Sequence, residues 1–258
     1  MQSRRSFLKM NVQLLAQGYL CYAGLRAGAF STKDRPLFAA WVEELEQITA
    51  DLRGGKTVPL EWQRAMEGLY QKVPFEVLSQ ALDFDALLKA SQPETLLGNI
   101  VKVNFPGFPQ AGKHLGYGHK MFVMKRGGAI IPHAHYDMVS AHLVIRGAFR
   151  VRTYHRRFDL EEGSGFIPLE PATDRIFKTG EVLTMSDDAH NVHWLVAQTN
   201  QAATFDIPIA NLGSERRYAH EANSYSMIFL DPLSEKGGDG VIRAKILTFE
   251  DAAARFAP

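Results

Sequence analysis

The sequence predicts a mainly β protein, an antiparallel sandwich or barrel, with short helices ahead of it. From about residue 98, segments of alternating or continuous apolar character recur at roughly eight to twelve residue intervals, parted by Gly, Pro and Asn/Asp turns. Before residue 92 the apolar positions instead repeat with helical spacing. Most of the 21 glycines and 12 prolines fall in the later region, in keeping with many turns there.

With 258 residues, 46% hydrophobic and 22% charged, the chain is long enough to bury a sizeable core. Its 29 basic and 28 acidic residues leave a net charge of +1. That balance gives no electrostatic reason to expect nucleic acid or an anionic membrane as a partner. No apolar run approaches the ~18–20 residues of a stable membrane span.

Residues 1–29 have the layout of an export signal. "SRRSFLK", Ser3 to Lys9, resembles the twin-arginine motif, and a moderately apolar run leads to Ala27-Gly28-Ala29, a small-x-small cleavage site. The alternative is an amphipathic first helix that begins with two arginines. The expected location is therefore the periplasm, with the cytoplasm as alternative. Cys21 lies inside the segment that would be removed, so a mature chain from about Phe30 would carry no thiol and form no disulfide.

Residues 30–95 read as a helical segment. In "RPLFAAWVEELEQITADLRGG", Trp41, Leu45, Ile48 and Leu52 form one stripe that Gly54-Gly55 ends. "PLEWQRAMEGLYQKV" opens with Pro59 in its first turn and aligns Trp62, Ala65, Leu69 and Val73. "PFEVLSQALDFDALLKASQ" continues as a third helix. Such short helices are expected to pack on one face of the β region.

Residues 96–258 supply the strands, among them "NIVKVNF", "HKMFVMK", "AIIPHAH", "SAHLVIRG", "RIFKTGEVLTM", "VHWLVAQT", "ATFDIPIA", "YSMIFLD" and "IRAKILTF". In "AFRVRTYHR", Phe149, Val151 and Thr153 alternate with Arg150 and Arg152, one face in and one charged. Arg146, Arg150 and Arg152 are expected on a solvated face, and Asp187-Asp188 in a turn.

Three histidines in ten residues stand out: His133, His135 and His142. On a strand His133 and His135 point the same way, close enough to share one ion. The bland alternative needs two separately satisfied buried imidazoles side by side. Gly127, His133-x-His135, Ser140 and Gly147 have a spacing that resembles the first motif of the cupin superfamily. The departure is Ser140, where that motif usually has Glu; a neutral hydroxyl is a poor ligand for a first-row metal. The second motif should supply a further histidine from an opposing strand, and "GEVLTMSDDAHNVHWLVA" offers His190 and His193. They differ by three and cannot both face inward in one regular strand. His193, inside the apolar run, is the expected ligand and His190 the alternative.

The chain also resembles the three-histidine thiol dioxygenases of the cysteamine dioxygenase and plant cysteine oxidase type. His133-x-His135, then Gly147 and "AFRVRTY", then "NVHWL" around His193 and the late "YSMIFLDPLSEKGGDGVIRAKIL" carry that likeness over roughly residues 95 to 248. Ala134, where the family often has Asp, and the export-like N-terminus depart from it. The resemblance implies a cupin double-stranded β-helix, or jelly roll, holding one divalent metal. Iron(II) is expected first, with zinc, manganese and nickel left open.

Three neutral imidazoles would leave the full 2+ charge on such an ion, favouring an anionic substrate such as a thiolate. The expectation is a non-haem iron dioxygenase acting on a small anionic molecule with O2. A non-catalytic, metal-dependent binding or sensing cupin is the alternative, and a metal-free scaffold a third. His142 reads as a fourth ligand, an outer donor or a core histidine. Tyr136 and Tyr225 are candidates to orient a substrate. His114, His119, His155 and His220 are expected at the surface. A homodimer through edge strands is expected of such jelly rolls. Zinc-finger, P-loop, dinucleotide and Ser-His-Asp signatures are absent.

Overall fold

The computed structural model describes residues 34–105, 119–160, 165–213 and 227–257. The export-like segment, His114, His220 and Tyr225 lie outside the described residues.

Helix α1 (Arg35–Arg53) buries Phe38, Trp41, Val42, Leu45 and Leu52, and α2 (Pro59–Gln71) buries Trp62, Met66, Leu69 and Tyr70. Both carry a proline in the first turn, where its fixed φ suits a helix start. The expected third helix is two: α3 (Phe75–Ala81) and α4 (Phe84–Ala90). Asp83 between them is left-handed, at φ 51°. The break turns the chain so that Leu82 and Phe84, on either side, are both buried.

Eleven strands come after them among the described residues. One sheet has the order β1 (Asn99–Lys102), β2 (Lys120–Met124), β9 (Ala202–Ala210), β4 (Met138–Arg146), β7 (Val182–Met185). The other closes on itself in the order β10 (Met227–Asp231), β11 (Ile242–Leu247), β6 (Phe166–Lys178), β5 (Ala148–Arg156), β8 (Val192–Ala197), β3 (Ala129–His135). Neighbouring strands are antiparallel throughout. The fold is a mainly β jelly roll preceded by short helices. "RIFKTGEVLTM" is not one strand: Gly180, at φ 92°, turns the chain between β6 and β7, which lie in different sheets. A last helix, α5 (Phe249–Phe256), is not expected from the sequence. The side chain of its N-cap Thr248 accepts from the backbone N–H of Asp251.

Alternation along the strands sorts the layers. Val139, Ala141, Leu143 and Ile145 of β4, with Phe205, Ile207 and Ile209 of β9, pack against the helices. The opposite parity of the same strands, Val144 and Ala202, joins Phe149, Val151 and Leu195 in the space between the sheets. A separate cluster inside the closed sheet takes residues from all six of its strands, including Ala134, Tyr154, Leu169, Val192, Leu230 and Ala244.

A bulge in β3 positions the histidines. Ile130 pairs with Leu195 and His133 with His193, so β3 has one extra residue between these pairs. The extra residue changes the inward parity, and Ile130 and His133 face the same inter-sheet space although they differ by three. Pro132 lies within this irregularity, where a missing N–H is tolerated.

Candidate metal centre

His133 and His135 leave β3 on the side opposite Ala134, and His193 leaves β8 at the register position opposite His133. One nitrogen from each lies within 4.8 Å of the others. The ring centroids stand 4.5 Å apart for His133–His135, 4.2 Å for His133–His193 and 5.1 Å for His135–His193.

Backbone carbonyls fix how two of these rings face. His133 Nδ1 lies 2.8 Å from the Ile131 carbonyl and His193 Nδ1 3.3 Å from the Asn191 carbonyl. A carbonyl only accepts, so each Nδ1 carries the proton and each Nε2 keeps its lone pair for the interior. His133 Nε2 is 3.0 Å from His135 Nε2. Two imidazole nitrogens bound at right angles to one ion with bonds of ~2.1 Å would also stand about 3.0 Å apart. The residues present thus fit a divalent ion in donor type, and the His133–His135 pair fits it in spacing as well.

Burial keeps His133 and His193 neutral, the form in which an imidazole can bind a metal. It pushes the His133 imidazolium down from 6.5 to about 4. His193 is held well below its ordinary range, first by burial and then by the neighbouring His133, His135 and His142.

Asn191 ties the histidine-bearing segments together. Its Nδ2 donates to the His135 carbonyl at 2.9 Å and to Asp187 Oδ1 at 3.0 Å, while Asp187 Oδ2 accepts from the Asp137 backbone N–H at 3.2 Å. Asp187, expected as a simple turn residue, is buried and bridges the ends of two strands. The turn before His193 is in turn held by the helices: Ser186 Oγ donates to Gln63 Oε1 of α2 at 2.5 Å.

His190 does not join the group. It is left-handed at φ 58°, and its Nδ1 is 2.8 Å from Thr153 Oγ1. His142 is buried on the inter-sheet face of β4, its ring 5.9 Å from that of His193. Its Nε2 is 3.4 Å from Asp206 Oδ1 and its Nδ1 3.3 Å from Thr204 Oγ1. Burial lowers its pKa, and the Asp206 carboxylate pulls the other way. Ser140, also buried, donates its hydroxyl to Asp206 Oδ1.

Asp206 is not singled out by the sequence, although a buried carboxylate beside Ser140 and His142 bears on the site's charge. The one available signal is the parity of "ATFDIPIA", which sets Thr204 and Asp206 opposite Phe205 and Ile207. Two expected surface histidines are half-buried instead. His119 stacks on Phe105 at 4.4 Å between ring centroids, and His155 Nδ1 accepts from the His190 backbone N–H at 3.2 Å. Tyr136 is buried, its ring facing the Arg156 guanidinium at 4.9 Å. Arg150 is exposed as expected, whereas Arg152 is only half-exposed and lies over Trp194 at 4.3 Å.

No protein-family model and no curated protein matches this sequence. Among solved structures it is similar to KdgF from Halomonas sp., with 22% identity over 39% of this chain and 71% of that one and a TM-score of 0.27. It is similar to a cupin superfamily protein from Desulfitobacterium hafniense, with 14% identity over 37% and 68% and a TM-score of 0.27. It is similar also to an oxalate oxidase in complex with the substrate analogue glycolate, with 17% identity over 57% and 61% and a TM-score of 0.35. Of a procruciferin, an 11S globulin from Brassica napus, the match spans 25%. At such identities and scores the likeness assigns no role to any residue.

Proposed function

We propose that this chain is a metal-dependent cupin in which His133, His135 and His193 hold one divalent ion, iron(II) before zinc, manganese or nickel. The observation that carries this reading is the convergence of three buried imidazole nitrogens within 4.8 Å. The reaction proposed is oxidation by O2 of a small anionic substrate, with a thiol as the first candidate. A bound ion would supply Lewis acidity toward an anionic donor and, if iron(II), the electrons that activate dioxygen.

The chain's own residues account for the rest. The Ile131 and Asn191 carbonyls hold the tautomers of His133 and His193. Burial keeps His133 and His193 from competing protons at neutral pH, and the apolar side chains between the sheets limit water at the site. Neutral ligands leave the ion's charge uncompensated by the ligand shell, which favours a thiolate over a thiol.

Metal analysis of the purified protein, with oxygen uptake on cysteamine, cysteine and 3-mercaptopropionate, tests this. Iron with uptake on one of these supports the reading. Iron with no uptake on any thiol sinks the thiol substrate, and metal content with no oxygen chemistry at all favours a non-catalytic binding protein. We propose in addition that residues 1–29 direct export. Protein confined to the cytoplasm with its N-terminus intact would count against that.

A further inference from the structure

A row of three polar side chains crosses the inter-sheet face of the five-stranded sheet. Lys120 on β2 pairs with Asp206 on β9, which pairs with His142 on β4, and register partners share a face. The row ends beside the metal centre, where the His142 ring lies 5.9 Å from that of His193. It begins at solvent, since the Lys120 side chain is 38% exposed while that of Asp206 is 3% exposed.

The two charges in this row are not equally engaged. Asp206 Oδ1 receives the Ser140 hydroxyl and has His142 Nε2 3.4 Å away, while its Oδ2 lies 3.9 Å from Lys120 Nζ. The Lys120 ammonium has three protons to donate. Among the described residues its closest polar contact is that 3.9 Å pair, longer than a hydrogen bond. The ammonium also lies 5.2 Å from the Phe122 ring centroid, and Phe122 is 5.7 Å from His142. A cation with spare donors thus stands at the open end of a path of contacts leading to three buried imidazoles. The buried carboxylate beside it draws that cation toward the inter-sheet face through Oδ2, while its Oδ1 is taken up by the Ser140 hydroxyl.

We propose that Lys120 is a substrate-binding residue that takes a carboxylate or comparable anionic group of a small molecule whose other end reaches the three histidines. Asp206 is the positioning residue that holds Lys120 toward the interior. This rests on the metal reading above and narrows its substrate class to an acid with a second donor group. A free Asp206 would select the opposite class, an ammonium-bearing substrate.

The test uses protein loaded with cobalt(II), whose visible spectrum reports ligand binding without turnover. It is titrated anaerobically with 3-mercaptopropionate, ethanethiol and cysteamine, which share a thiol and differ in carrying a negative, no or a positive tail. The expected order puts 3-mercaptopropionate at least about ten-fold tighter than ethanethiol, since a charge-assisted hydrogen bond is being gained. In Lys120→Gln that preference should collapse to within about two-fold while ethanethiol binding is unchanged, and Lys120→Arg should restore most of it. Cysteamine binding tightest, the acid preference surviving in Lys120→Gln, or cobalt-loaded protein binding none of the three would each overturn the proposal and leave the metal centre standing. Failure to take up cobalt would instead overturn the reading on which it rests.

Discussion

Asn191 touches two of the three clustered histidines at once, through its side-chain amide to the His135 carbonyl and through its own carbonyl to His193 Nδ1. Both partners of its Nδ2 are acceptors, so the position demands a donor. Asn191→Asp keeps the shape but sets a carboxylate against a carbonyl and the Asp187 carboxylate. Metal affinity should fall roughly 10–100-fold, as for other partners that orient ligands, read by competition with a chelator. An unchanged affinity would show that these hydrogen bonds do not set ligand spacing. The buried histidines also set a pH dependence. In the unfolded chain His133 titrates near its ordinary 6.5 and in the folded, metal-free chain at about 4, so in that window the unfolded chain binds more protons and acid favours unfolding. The denaturation midpoint of metal-free protein should hold above about pH 7 and decline from about pH 6.5 toward pH 4. The slope of that decline should be shallower in His133→Asn.

The turn between β4 and β5 depends on Gly147, which sits at φ 71° and whose added Cβ would fall 2.0 Å from Thr199 Oγ1. Thr199 Oγ1 is itself engaged, accepting from the Ala148 N–H at 3.2 Å. Gly147→Ala should therefore cost at least about 1–2 kcal/mol from the left-handed conformation alone, measured by urea unfolding. That glycine is legible because its spacing from His133 belongs to the motif, and His133-x-His135 is legible because a strand's period of two puts both on one face. The bulge at Pro132 is not legible, since an inserted residue leaves no mark in composition. Neither is most of β6: Pro168 and Pro171 within it read as breakers, yet both sit at paired positions of a strand. Asp83 splits a helix that apolar spacing alone would continue. Asp206 stays hidden because one acid on the polar parity of a strand looks the same whether that face meets water or a second sheet.

The molecule stacks its four N-terminal helices on one side of the five-stranded sheet, the histidines on the other, and the closed sheet behind them, with α5 packed on the closed sheet. The three histidines come from two strands, β3 and β8, joined to each other by register and to the helices through Gln63 and the Ser186 turn. An ion bound there would hold folded protein alone, because the unfolded chain has no such convergence. Metal at a hundred times its dissociation constant should stabilise the fold by about 2.7 kcal/mol, visible as a fall in Tm when a chelator removes it. A Tm indifferent to the chelator would mean that no ion links these strands. The decisive quantity is the divalent metal content per chain of purified protein and of His133→Ala, His135→Ala and His193→Ala, with circular dichroism to show that each variant is folded. One ion per chain in the parent, lost in each folded variant, is the predicted result; folded variants that keep the parent's full metal content would contradict it.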